Sequence, residues 1–116
     1  ILLTCYCYES MSDLEALMAA VARLGEVCPW TAAQRSEDMM LYLRKECIEL
    51  DQVLLQARTR PLNTAELTQE LGDVLFDVLM LIQVSARDHG VGLEACCNIT
   101  QICSERGCRN ERQLQD

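Results

Sequence analysis

Two pairs of acidic residues have a spacing that could bring their carboxylates together. Glu46 and Glu49 form the first pair, and Glu70 and Asp73 form the second. Residues three apart share one face of a helix, so each pair would present two carboxylates in the same direction. Carboxylates that converge repel one another, and a divalent cation is the simplest counter-charge. Mg²⁺ prefers oxygen ligands of this kind, and Mn²⁺ is an alternative.

The apolar pattern around each pair indicates that these acids do not simply face solvent. On a helical wheel, Glu46 falls inside the apolar arc of its helix and Glu49 lies at the edge of that arc. Glu70 and Asp73 border an apolar face in the same way, and Asp77 continues their stripe one turn later. Two such pairs favour a metal site over solvated surface acids. An ion-pair network with neighbouring basic residues is the structural alternative.

The positions of caps and helix breakers predict four helices. The first runs from about 13 to 24, and the second begins at Thr31 or Ser36 and ends near Arg58. The third runs from 63 to about 88, and the fourth from 92 or 93 to about 106. The expected fold is therefore all-α and resembles a four-helix bundle. Residues 1–10 are interpreted as an N-terminal extension, 11–106 as the domain and 107–116 as a polar tail.

The third predicted helix is apolar on nearly every side, which one small domain cannot easily bury. We therefore expect a homodimer or a homotetramer. The formal net charge of -8 argues against a nucleic-acid partner, because the chain offers no basic stripe for a phosphate backbone. No apolar run is long enough to span a membrane. The eight cysteines lack zinc-site spacing, and we interpret them as reduced thiols of a cytoplasmic protein.

Three short motifs together resemble a known family. Cys28-Pro29-Trp30, then Glu46-Cys-Ile-Glu49, then Glu70-Leu-Gly-Asp73 is similar to the pattern of the MazG-type all-α nucleoside triphosphate pyrophosphohydrolases. The resemblance covers roughly residues 13 to 90. It implies a helical dimer or tetramer in which Glu46, Glu49, Glu70 and Asp73 hold Mg²⁺. It also implies cleavage between the α- and β-phosphates, which releases a nucleoside monophosphate and pyrophosphate, as in nucleotide-pool housekeeping.

Further residues take expected roles under this interpretation. Glu49, and after it Glu46, is the candidate general base that activates water. Trp30 is a candidate for stacking on the nucleobase, with anchoring of its loop as the equal alternative. Asp77 is a candidate outer-shell ligand or water-positioning group near the metal and substrate, with an acid on the helix face as the alternative. Arg106 and Arg109 could bind phosphates, although a solvated tail would explain them as well.

Two other functions are compatible with the sequence. Phosphoribosyl-ATP pyrophosphohydrolases use related helical chemistry, and only a comparison of substrates separates them from enzymes acting on free nucleotides. A non-enzymatic helical interaction module would need neither metal nor nucleotide. Di-iron carboxylate bundles are disfavoured, because they require Glu-x-x-His motifs and the one histidine, His89, lies outside any such motif.

Overall fold

The computed structural model describes the backbone of residues 2–115 and the side chains of residues 13–103, 105 and 106. The described chain is all-α, as predicted, and contains no strand. Its five helices are α1 (Leu2–Val27), α2 (Pro29–Ala33), α3 (Ser36–Gln56), α4 (Thr64–His89) and α5 (Leu93–Gln115). None of the helices, as far as they are described, is both long and apolar enough to cross a membrane.

The helix boundaries differ from the predicted ones in three places. Helix α1 begins at Leu2, so the start predicted near residue 13 was wrong. The Cys-Pro-Trp segment was predicted to be a loop, but Pro29 begins the five-residue helix α2. This position suits proline, because the first turn of a helix does not use its N–H groups. Helix α5 continues past 106 to Gln115. The domain limits at residues 11 and 106 stay predictions.

Local signals define both ends of α4, as predicted. At its start, the Asn63 side chain accepts a hydrogen bond from the Glu66 backbone N–H at 3.1 Å. At its end, Gly90 adopts a left-handed φ of 70°, and its N–H bonds back to the Ala86 carbonyl. Such a conformation favours glycine because a Cβ would be strained there. Capping residues therefore define both ends of the helix that carries Glu70, Asp73 and Asp77.

The hydrophobic core lies where α1, α3 and α4 meet. Its buried residues are Val21, Met39, Leu79, Met80 and Val84. The α3–α4 pair makes the most extensive helix contact, and α5 packs only against α4 among the described elements. Because residues 57–63 form a short connection, α3 and α4 run antiparallel. This pair supplies every acidic residue of the candidate site.

The outer face of α4 is exposed in the single chain. Leu71, Leu75 and Phe76 are 50%, 45% and 37% exposed, so the single chain leaves part of this apolar helix uncovered. A second copy of the chain could cover them, and oligomerisation stays a prediction. The described cysteines, Cys28, Cys47, Cys96, Cys97 and Cys103, are free thiols.

Candidate metal centre

The antiparallel arrangement of α3 and α4 brings the two acidic pairs face to face. Moving along α3 towards its C-terminus corresponds to moving along α4 towards its N-terminus. Glu49 therefore faces Glu70, and the preceding turn of α3 places Glu46 near Asp73. The pKa shifts agree with this alignment of α3 and α4. Beside burial, the charge of Glu49 raises the pKa of Glu70, and the charge of Asp73 raises the pKa of Glu46.

Three of the four predicted ligands form a tight cluster. Glu46, Glu49 and Glu70 each contribute one carboxylate oxygen, and these oxygens all lie within 4.8 Å of one another. All three side chains are partly buried. Asp73 is not a member of this close group, but its charge raises the pKa of both Glu46 and Glu70. The structure thus places Asp73 beside the cluster, and its role as a ligand stays a prediction.

Several carboxylate oxygens at this site are buried without a hydrogen-bond donor. They include Oε2 of Glu46, Oε2 of Glu70 and Oδ2 of Asp77. Asp77 is the most enclosed of the three residues, with 8% of its surface exposed. A buried acceptor without a partner costs free energy, so native proteins rarely keep one unless a water or an ion satisfies it. Three such acceptors on adjoining helix faces suit a hard cation, which binds oxygen ligands.

The crowding of acids shifts their protonation. Burial, reinforced by a hydrogen bond with Glu49 and by neighbouring negative charges, raises the pKa of Glu46 from its usual 4.5 to about 7. Burial and then the charges of Glu49 and Asp73 raise the pKa of Glu70. Burial and then Asp73 also raise the pKa of Asp77. Each shift reflects the cost of burying a carboxylate and of adding another negative charge beside its acidic neighbours.

The basic side chains that the structure describes do not form ion pairs with the cluster. Among the described side chains, the one ion pair joins Arg87 to Asp88, near the end of α4. Arg44 and Lys45 are both exposed and form no ion pair with the described acids. The ion-pair network considered as an alternative is therefore not formed by these residues, which leaves a cation as the simplest counter-charge.

Trp30 contacts α3 one helical turn before Glu46, through a ring contact that the sequence did not reveal. The residue is 53% exposed, and its ring packs edge to face against Tyr42, with centroids 5.6 Å apart and an interplanar angle of 60°. Tyr42 precedes Glu46 by four residues on α3, so the two share a face of the helix. The aromatic pair therefore lies about one helical turn from the acidic cluster. The i, i+4 spacing of Tyr42 and Glu46 was the sequence signal that could have indicated an aromatic side chain beside the acids.

Of the two predicted phosphate-binding arginines, the structure describes the side chain of Arg106 alone. Arg106 is exposed on α5 and forms no ion pair with the described acids. Arg109 lies outside the residues whose side chains are described. Two cavities, of about 160 Å³ between α1, α2 and α4 and about 310 Å³ between α4 and α5, contain none of the clustered acids. The candidate centre is thus a partly exposed cluster between α3 and α4.

Comparison with known families agrees with this geometry. The family model of the MazG nucleotide pyrophosphohydrolase domain matches residues 34–106, which is more than half of the chain. The chain therefore belongs to the MazG nucleotide pyrophosphohydrolase family. The matched region contains both acidic pairs and Asp77, whereas Trp30 precedes it. No curated protein and no solved structure matches the chain significantly.

Proposed function

We propose that this chain hydrolyses nucleoside triphosphates, either ribo- or deoxyribonucleotides, to a nucleoside monophosphate and pyrophosphate. One water is consumed, and the bond between the α-phosphorus and the bridging oxygen breaks. The observation that carries the proposal is the cluster of Glu46, Glu49 and Glu70, whose oxygens converge within 4.8 Å in a member of the MazG family. Removal of surplus or unwanted nucleotides from the cellular pool is the role that this reaction would serve.

The donor set fits a divalent cation, Mg²⁺ or alternatively Mn²⁺. Every candidate ligand is a carboxylate, and two of the clustered residues hold buried oxygens without a donor. Glu46, Glu49 and Glu70 would hold the ion, with Asp73 beside them as the fourth ligand. When bound, the ion neutralises triphosphate charge, orients the substrate and lowers the pKa of water.

Among the residues of this chain, Glu49 is the favoured general base. Glu46 and Glu70 each bury an oxygen without a donor, whereas Glu49 has no such oxygen and lies at the edge of the apolar arc of its helix. Glu49, not fully used as a ligand, would take the proton of the attacking water. Asp77, one turn from Asp73 and buried, would orient groups around the ion from the outer shell.

The remaining contacts would serve substrate recognition. The exposed face of Trp30 offers a stacking surface for a nucleobase about one turn from the acids. Arg106 and Arg109 would bind phosphate oxygens if the end of α5 approached a bound substrate. Arg106 would serve its own site or that of a second copy in a homodimer or homotetramer.

A pyrophosphate-release assay tests the proposal. The protein is incubated with mixed NTPs and dNTPs, with Mg²⁺ and with EDTA, and released pyrophosphate is measured. We expect Mg²⁺-dependent release with one pyrophosphate per monophosphate. Orthophosphate release without pyrophosphate would contradict cleavage at the α-phosphate. The absence of any product from the wild-type protein would favour a non-enzymatic interaction module.

The same assay separates a related activity. Phosphoribosyl-ATP is offered beside the free nucleotides at equal concentration. A kcat/KM for phosphoribosyl-ATP well above that for every free nucleotide would reassign the substrate, although the acidic site would keep its role.

A further inference from the structure

Arg87 connects the end of α4 to a distant part of the chain. Its Nη1 donates to the Ala32 carbonyl at 3.0 Å, and its Nη2 donates to the Gln34 carbonyl at 2.6 Å. These partners are 55 and 53 residues away in sequence. They lie at the C-terminal end of α2, where carbonyl groups lack partners within the helix.

Asp88 fixes the orientation of this arginine. Its Oδ1 accepts from Arg87 Nε at 2.7 Å, and its Oδ2 accepts from Nη2 at 3.0 Å. The hydrogen bond from Arg87 lowers the pKa of Asp88, so the carboxylate stays ionised at neutral pH. The planar guanidinium thus engages the carboxylate and two carbonyls at once, which a lysine cannot reproduce.

The segment that Arg87 holds carries Trp30. Helix α2 has five residues, too few to be stable without tertiary contacts. Gln34 adds a bond within the segment, because its Nε2 donates to the Trp30 carbonyl at 2.9 Å. The Trp30 ring then packs against Tyr42 on α3. A continuous set of contacts therefore runs from Arg87 through α2 to the aromatic pair beside the acids.

We propose that Arg87 is a positioning residue that holds Trp30 against Tyr42, so that the indole is ready to stack on the substrate nucleobase. This inference rests on the proposed function, because it assigns the base-binding surface of that same site. Arg87 itself touches no acid of the cluster and acts through α2. Its loss should therefore weaken binding of the base and leave the cleavage step largely intact.

The placement of Trp30 can be measured directly, because the chain contains a single tryptophan. Arg87→Ala and Arg87→Lys should shift its emission to longer wavelength and increase quenching by acrylamide, by up to about twofold for a residue that is already 53% exposed. Arg23→Lys, which changes an exposed arginine of α1, serves as the control and should leave both signals unchanged. Unchanged quenching in both Arg87 variants would overturn the positioning role.

Kinetics then test the link to the substrate. Both Arg87 variants should raise KM for a nucleoside triphosphate about tenfold, the size expected for loss of one stacking contact, with kcat within about twofold of wild type. Inorganic tripolyphosphate has no base, so its inhibition constant should not change. Trp30→Ala should raise KM similarly, and adding Arg87→Ala to that variant should have little further effect.

The possible failures are distinguishable. If the wild-type protein releases no pyrophosphate, the proposed function is rejected. The inference about its base-binding surface is then rejected as well. An active wild type whose Arg87 variants lose kcat at unchanged KM would reject this inference alone. A parallel rise in the tripolyphosphate inhibition constant would also reject it, since Arg87 would then support the whole site and not the base.

Discussion

Glu46 on α3 and Glu70 on α4 approach each other from opposing helices, and each has a buried Oε2 atom without a hydrogen-bond donor. The most extensive helix contact of the fold thus includes a point of like-charge repulsion. Protons relieve this repulsion when Glu46 is neutral, and a divalent cation would relieve it at higher pH. Stability, pH and metal binding are therefore linked at this contact.

The cation-free protein should lose stability as pH rises from about 4.5 to about 7. Because the pKa of Glu46 is raised from 4.5 to about 7 in the folded state, the folded chain binds more protons than the unfolded chain in this window. Thermal unfolding in EDTA at several pH values measures this trend. Glu46→Gln should flatten the decline, and Mg²⁺ should stabilise the wild type more at pH 8 than at pH 5.5. A wild-type profile with the same slope as Glu46→Gln would contradict the raised pKa.

Glu49→Gln should reduce pyrophosphate release by at least about 100-fold, as expected for loss of a general base that is also a metal ligand. Asp73→Asn should have a comparable effect if Asp73 completes the ligand set. Circular dichroism should show that both variants keep the wild-type helix content, because each removes a repelling charge. Asp51→Asn, an exposed acid on the same helix, is the matched control and should retain wild-type activity. Full activity in Glu49→Gln and Asp73→Asn would refute the site.

Asp77→Asn should raise the Mg²⁺ concentration needed for half-maximal activity by about 10- to 100-fold, the usual effect of changing an outer-shell partner. The reason is that Asp77 is buried beside Asp73 with an unpartnered Oδ2. Activity is measured over a range of Mg²⁺ concentrations, again with Asp51→Asn as control. An unchanged Mg²⁺ requirement would show that Asp77 does not contribute to metal binding.

Two glycine substitutions on α4 should have opposite effects. Gly90→Ala should lower the free energy of unfolding by about 1 kcal/mol, because its φ of 70° strains any L side chain although space is available. Gly72→Ala should raise it by about 0.5–1 kcal/mol, because an added Cβ within α4 meets no described atom within 4 Å. Urea denaturation measures both changes. Destabilisation by Gly72→Ala at concentrations where the chain self-associates would indicate that a second copy packs there.

Short-range patterns were sufficient to predict much of the site. The i, i+3 spacing of Glu46 with Glu49 placed these acids on one helix face, and the caps Asn63 and Gly90 located α4. The short connections between the helices then implied an α-helical bundle. Because these signals act within a few residues, they can be interpreted without knowledge of tertiary contacts.

Features that depend on distant contacts could not be predicted in this way. Helix α2 is too short to show periodicity, and the carbonyls at its C-terminal end accept hydrogen bonds from Arg87, 53 and 55 residues away in sequence. The contact between Trp30 and Tyr42 joins two elements whose relative orientation no local pattern specifies. The same reasoning explains Asp73, whose helical position was predicted while its distance from the three glutamates depends on how α3 and α4 pack.

Direct measurement of cation binding tests the central claim, that acids of α3 and α4 converge to hold a divalent ion. Electron paramagnetic resonance reports unbound Mn²⁺ during a titration of the protein without nucleotide. The wild type and Asp51→Asn should bind Mn²⁺ saturably, and the double variant Glu46→Gln, Glu70→Gln should bind it at least about tenfold more weakly. Equal Mn²⁺ affinity in the double variant and the wild type, or no saturable binding to the wild type, would contradict the claim.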